Sequence, residues 1–237
     1  MPSIQTVVDG YGAPKIFALL KQEGYTGSID RVQRIMKQAG IRSNIVKKYK
    51  PTSSSSNVEE RENLLAQDFT TETINEKWVA DITYIHTVQD GWCYLASVQD
   101  LHTKKIVGYK FGRRMTMDLV LNALENAVMA QQPALCLILH TDLGVQYTSA
   151  DFRERLWQHG IIPSYSRKGC PYDNACIESF HATLKKEEVY RTRYANFEVA
   201  RMALFRYIEG WYNRKRIHGS IGYSAPDVFE KICRAAA

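Results

Sequence analysis

Along the middle of this chain the apolar positions recur first at the period of strands and then at that of helices. Residues 77–87, Lys-Trp-Val-Ala-Asp-Ile-Thr-Tyr-Ile-His-Thr, are rich in aromatic and β-branched side chains and predict a buried strand. A turn at Gln89-Asp90-Gly91 and apolar runs at 92–98 and 105–111 extend this into two antiparallel hairpins. The period then lengthens to predict a helix over about 117–131, after which 135–142 reads as a second buried strand with Asp142 at its C-terminal end. A helix over 149–159 and a short strand over 161–166 follow, and Pro163 assigns that strand to a sheet edge. The loop Lys168-Gly-Cys-Pro-Tyr-Asp-Asn174 launches a further helix, with Asp173 or Asn174 as its natural N-cap. A last long helix, 196–213, places Phe197, Ala200, Leu204, Ile208 and Trp211 at core spacing.

Upstream, Pro14 opens a helix whose apolar face is Ile16, Leu19 and Leu20, and Gly24-Tyr-Thr-Gly27 ends it. Ser28 or Asp30 caps a second helix, with Val32, Ile35, Met36 and Ala39 on one side, Arg31, Arg34 and Lys37 on the other, and Gly40 as its stop. Two short helices at this separation, the second of them basic, fit a helix-turn-helix. The Ser-rich polar stretch that follows has nothing to bury and reads as a flexible linker. The chain thus divides into a helical segment (1–50), a linker (51–62), an α/β core (63–190) and a C-terminal helical extension (191–237).

Length and composition agree with this division, since 237 residues at 45% hydrophobic content suffice for one α/β domain and a small companion. The chain shows neither an apolar run of membrane-spanning length nor the start of a secretory signal, so membrane and export readings lose support. Its five cysteines form no Cys-x-x-Cys pair, which fits a reduced cytoplasm. Cys170, Cys176 and His181 lack both a fourth ligand and the spacing of a zinc site. Charge is distributed unevenly. Residues 1–50 hold nine Lys or Arg against three acids, 51–184 hold eleven against sixteen, and 185–216 hold nine against four. Two basic ends around an acidic centre suit a protein that grips phosphates on either side of a metal-binding site.

Three carboxylates carry the candidate chemistry. An Asp inside a buried strand requires a partner, and Asp81 is such a residue. Together with Asp142 and with Glu178 on the helix it offers hard oxygen donors, which suit Mg²⁺ above other ions. Glu178, His181, Ala182 and Lys185 fall at i, i+3, i+4 and i+7 and share one helix face. Asp100 has a sufficient explanation as a turn residue and is left outside this set.

Trp78-Val-Ala-Asp81-Ile-Thr-Tyr, His140-Thr-Asp142-x-Gly144-x-Gln-Tyr147 and Gly169-Cys-Pro-Tyr-Asp-Asn-Ala-Cys-Ile-Glu178-Ser-Phe-x-x-Thr-Leu-Lys185 resemble the signature blocks of the DDE transposases. In particular they resemble the retroviral-integrase-like cores of the insertion-sequence family usually called IS-three. The 35 residues between Asp142 and Glu178 match that family's spacing, and Lys185 stands seven after the Glu as its pattern asks. Ile208-x-x-Trp-Tyr-Asn-Arg-x-Arg-x-His218 and Ser224-Ala-Pro226 resemble its C-terminal block, while His102 departs from an apolar or aromatic position. The family carries a helical segment beginning at Tyr-Gly, here Tyr11-Gly12, usually with more chain upstream, so a shortened start is expected here.

The resemblance implies a ribonuclease-H-like α/β fold with a mixed five-stranded sheet, in which the first and fourth strands lie side by side. It also implies metal-dependent cleavage of the element's 3′ ends and strand transfer, on two Mg²⁺ ions for which Mn²⁺ can substitute. The expected DNA contacts are Lys185, Arg31, Arg34, Lys37, Lys168, Asn174, Arg214 and Arg216. The implied partners are the terminal inverted repeats, target DNA, further copies of the chain and an upstream OrfA-type fusion product, at the bacterial nucleoid. Two rival readings remain, a nuclease of the same fold and a catalytically idle DNA-binding remnant.

Overall fold

The structure, a computed structural model of the chain, describes residues 10–43, 62–167 and 169–236. The expected linker, apart from Glu62, lies outside the described residues, as does Lys168. The described chain forms two compact units, one of residues 10–43 with 217–224 and the other of 62–216 with 225–236.

In the first unit, α1 spans Ala13–Gln22 and α2 spans Ile29–Gln38. Pro14 stands in the first turn of α1, where its missing N–H loses no helical bond. Ser28 caps α2 by accepting the Arg31 amide at 3.3 Å, in agreement with the capping residue expected. Val32 and Met36 are buried, while Arg31, Arg34 and Lys37 are exposed. Residues 217–224 close on themselves through an antiparallel bridge between His218 and Ser224.

The second unit is built on a five-stranded sheet in the order β3-β2-β1-β4-β5. Its strands are β1 (Lys77–Thr87), β2 (Gly91–Asp100), β3 (Ile106–Gly112), β4 (Ile138–Thr141) and β5 (Ile162–Tyr165). The first three pair antiparallel through short turns, whereas β4 and β5 add in parallel, each reached through a helix. Those helices are α3 (Met117–Gln131) and α4 (Ala150–Gln158), and α5 (Ala175–Glu187), α6 (Phe197–Phe205) and α7 (Pro226–Ala236) follow β5. Strand alternation feeds two cores. Trp78, Ala80 and Val98 pack with α3 and α4, while Val79, Ile85 and Leu95 pack with α5 and α6.

The expected single helix over 196–213 changes character midway. After α6 the chain winds as a π-helix over Arg206–Tyr212, with Asn213 N–H donating to the Ile208 carbonyl at 2.9 Å. One carboxylate gathers this stretch: Glu187 accepts from Tyr207 Oη at 2.7 Å, Trp211 Nε1 at 3.3 Å and Arg216 Nε at 3.0 Å. Asp100 is buried at the β2 turn and accepts from the Asn75 amide and from the Thr103 amide and hydroxyl, the structural role expected of it.

Each sheet margin is met at one point by another segment of the chain. On β3, the Asn213 side chain accepts from the Ile106 amide and donates to its carbonyl, both at 3.0 Å. On β5, the Tyr165 amide donates to the Glu62 carbonyl at 3.0 Å, and Ser164 Oγ accepts from the Leu64 and Leu65 amides at 2.9 and 3.2 Å.

Helix α3 lies so close on β3 that only glycine fits at position 108. A Cβ there would come within 2.4 Å of the Ala123 carbonyl oxygen and 2.5 Å of the Ala127 nitrogen, both backbone atoms. Gly108→Ala is therefore expected to destabilise the core by about 1–3 kcal/mol. A denaturant midpoint unchanged from wild type would show that α3 can retreat freely.

Candidate active site

Parallel pairing between β1 and β4 covers only three positions, ending at Val79 opposite His140. Asp81 and Asp142 each lie two residues beyond that last pair, so strand alternation sends both side chains toward the side of the sheet that Val79 and His140 share. The two acids therefore meet where neighbouring parallel strands part, the usual place for a binding crevice in an α/β sheet. Glu178 joins them from the first turn of α5.

The acids feel one another. Burial, reinforced by the Asp81 charge, pushes the Asp142 carboxyl up to about 6 against the opposing pull of the Gly144 amide, although its outer edge stays open to solvent. Glu178 is raised as well, first by burial and then by the charges of Asp81 and Asp142. Gly144 donates its amide to Asp142 Oδ1 at 2.9 Å, and a Cβ at Gly144 would press to 2.8 Å of the same oxygen. The turn closes with the Tyr147 amide on the Gly144 carbonyl, and the buried Tyr147 ring packs edge-on against Phe152.

Asp81 has two partners that the sequence signalled only faintly. Its carboxylate accepts the Ile82 amide at 2.7 Å, and His181 Nδ1 stands 3.4 Å from Oδ2. The other ring nitrogen of His181 lies 2.7 Å from Ser97 Oγ. The His181 ring thus lies between the Asp81 carboxylate and the Ser97 hydroxyl. Ser97 lies directly across from Asp81 in the β1–β2 register, and a serine within the apolar run 92–98 was the available signal. His140 forms a second buried network, 2.8 Å from Ser164 and 3.0 Å from Ser166, and burial lowers it to about 4, so it is neutral at pH 7.

The loop that launches α5 is secured by Asp173, whose side chain is fully buried. It accepts from Asn63 and Gln67 at 2.8 Å, and from the Arg167 amide at 2.9 Å and guanidinium at 3.2 Å. Burial would raise this carboxyl, but those bonds, led by the Arg167 side chain, hold it at about 2. Asp173 is thus the anchor of the loop. Asn174 takes the N-cap position without capping through its side chain.

Two of the expected DNA contacts are engaged within the protein. Asn174 is buried and donates to the Ala80 carbonyl beside Asp81, at 3.4 Å, so it ties α5 to β1. Arg216 is likewise committed, because its guanidinium pairs with Glu187 inside the protein. Of the others, Arg214 is exposed near Asp227, and Lys185 lies half-buried with its ammonium 4.6 Å from the centre of the Tyr84 ring. Burial lowers Lys185, with the Asp81 charge acting in the opposite direction.

Among the described residues, no three His, Cys, Asp or Glu side chains already converge closely enough to grip an ion. Asp81 is turned onto Ile82 and His181, and Asp142 onto Gly144, an arrangement that keeps like charges apart. The donor set nonetheless fits a divalent cation. Its oxygens are hard ligands, and the raised carboxyls mark negative charge that a cation would relieve.

Because Asp142 is raised when folded, its ionisation destabilises the metal-free fold as pH climbs from its ordinary value near 4 through 6. Asp142→Asn should leave stability unchanged at pH 4 and raise it at pH 8 by on the order of 1 kcal/mol once solvent screening is allowed for. Thermal melts without metal at both pH values check this, and an equal change at both would remove the charge origin.

Residues 72–171 match the integrase core domain family, 159–226 match a second integrase core domain family, and 9–49 match the HTH-like domain family. The chain is 39% identical over 221 residues to "Transposase InsF for insertion sequence IS3A" of Escherichia coli (strain K12), spanning 93% of this chain and 76% of that protein. It is 40% identical over 229 residues to the "Insertion element IS600 uncharacterized 31 kDa protein" of Shigella sonnei, spanning 96% and 84%. The HTLV-2 integrase catalytic core domain, solved in complex with magnesium, superposes with a TM-score of 0.51 at 14% identity, over 67% of this chain and 97% of that one. A chain of the simian T-cell lymphotropic virus intasome in complex with PP2A regulatory subunit B56 gamma gives 0.52 at 15%, over 86% and 70%. The solved structures share the fold, and the identity to the insertion-sequence protein across nearly the whole length goes further: the chain belongs to the IS3 family of transposases.

Proposed function

We propose that this transposase cuts the 3′ ends of its insertion sequence and joins them to a second phosphodiester, with Asp81, Asp142 and Glu178 as the catalytic carboxylates. The observation that carries the reading is the placing of Asp81 and Asp142 two residues past the last β1–β4 pair, with Glu178 raised first by burial and then by the charges of both. Family membership supports divalent metal use, and a pair of Mg²⁺ ions, or Mn²⁺ in their place, suits three carboxylates. Held there, such ions supply activation of the attacking hydroxyl and charge stabilisation at the departing oxygen.

The chain's own residues do the positioning. His181 and Ser97 steady the Asp81 carboxylate, and the Gly144 amide steadies Asp142. Lys185 lies about 10 Å along α5 from Glu178, at roughly 1.5 Å rise per residue, within reach of phosphates next to the scissile one. The HTH-like segment, with Arg31, Arg34 and Lys37 exposed, suits a grip on the element's terminal repeats. Arg214 and Lys168 complete the proposed phosphate contacts. Assembly of several copies on paired ends, with an OrfA-type product upstream, completes the proposal. Among the described residues no helix is long and apolar enough to cross a membrane.

The test is incubation of the protein with labelled duplexes bearing the element's ends. Wild type should give 3′ nicks and joined products with Mg²⁺ or Mn²⁺, whereas nicks alone would favour the nuclease alternative. Asp81→Asn, Asp142→Asn and Glu178→Gln should each lower turnover by on the order of a thousandfold, about 4 kcal/mol of barrier, while the protein stays folded and DNA-bound. Any variant with near-normal turnover removes its residue from the site.

Lys185 makes a separate prediction. Lys185→Ala should weaken end engagement and strand transfer about tenfold while metal affinity holds, with Arg restoring part of the loss and Gln none. Equal activity of all three variants would assign Lys185 to the packing of Tyr84.

A further inference from the structure

Beyond the carboxylates, the turn end of the β1–β2 hairpin carries an aromatic surface that the proposed chemistry does not use. Tyr84 and Trp92 are each 57% exposed and Tyr190 is 68% exposed, a large apolar area to leave in water on one side of a small domain. The rings are held in order. Trp92 stands edge-on to Tyr84 at 5.6 Å and to His86 at 5.1 Å, with His86 its direct partner in the strand register. With Lys185 and Arg193 these residues line a groove of about 540 Å³ that includes no carboxylate in its lining. One wall is tied down, since the Val88 and Gln89 amides donate to the Tyr194 and Ala195 carbonyls at 2.9 and 3.0 Å.

We propose that this groove binds unpaired nucleotides, stacking bases on Trp92 and Tyr190 and holding their phosphates at Lys185 and Arg193. The inference rests on the reading that the protein processes DNA ends. Aromatic faces beside cations, with no acid among them, suit a ligand that is flat and anionic at once, and a nucleic-acid strand is both. A base must leave its duplex to present its face, so the ligand is a frayed or single strand. Lys185 shares α5 with Glu178, so one helix links the groove to the carboxylates. Fraying would thereby expose the phosphodiester to be cut. A second copy of the chain would need a neutral or acidic counter-surface to fill the same groove.

The experiment compares two dye-labelled element-end duplexes, identical except that one carries three unpaired nucleotides, with binding read by fluorescence anisotropy in metal-free buffer. Wild type should favour the frayed duplex by on the order of tenfold. The Trp92→Ala, Tyr190→Ala double variant should lose that preference while its melting temperature and its affinity for the blunt duplex hold. Trp92→Phe, which keeps a ring, should retain most of it. Equal affinity of wild type for both duplexes overturns the proposal, as does a preference that survives the double variant. Loss of self-association in sedimentation, with the preference intact, would also overturn it and make the face a contact between copies. Cleavage and joining run on the same preparations separate the layers. A wild type that cuts and joins without the preference sinks only the groove, and one that does neither sinks both readings.

Discussion

Two parallel strands stop pairing early, and the site follows from where they stop. β4 is four residues long and β1 eleven, so beyond Val79 and His140 the longer strand runs on beside open space on that edge. That space admits the N-terminal end of α5, and Asn174 fastens the helix to the Ala80 carbonyl. Pairing carried two residues further would have directed the Asp81 and Asp142 backbones into ladder bonds and closed the crevice. The sheet keeps its continuity through the long β1–β2 ladder, which is paired from Trp78 to Thr87.

Collecting acids in one place sets up a conflict that the protein eases by parking the two aspartates on local donors. Asp142 rests on the Gly144 amide, and Asp81 on the Ile82 amide and the His181 ring. These are short-range contacts of the kind a stronger electrostatic partner can draw away. Asp173 shows the opposite solution, with a full set of donors and an arginine, and it serves as a fixed anchor. Aspartates of one domain thus have opposite characters, set by how many donors surround each.

Much of this was legible in the residues and some was not, for a physical reason. The order of strands and helices follows from apolar period, and an acid within a β-branched run stands out because a strand core excludes unpartnered charge. The fate of a cation depends instead on neighbours far away in the chain. Arg214 and Arg216 are two residues apart, yet the first is exposed and the second is locked on Glu187. The π-helix is a like case, since the carboxylate it meets lies on α5, where local spacing cannot reveal it. Asn174 reads as a surface loop residue until β1 is placed beneath it. His181 showed its face at i+3 from Glu178, but its pairing with Ser97 needed the β1–β2 register.

The Asn213 side chain on β3 and the Glu62–Leu65 backbone on β5 have a consequence for solubility. An open β-sheet presents free amides and carbonyls at both margins, and any extended segment from another molecule can add there as an extra strand. Here each margin is met by a segment of the same chain, so at those positions a stray polypeptide finds the ladder already taken. For a protein whose task would crowd several copies around one piece of DNA, this leaves association to side-chain surfaces and guards against runaway cross-β growth.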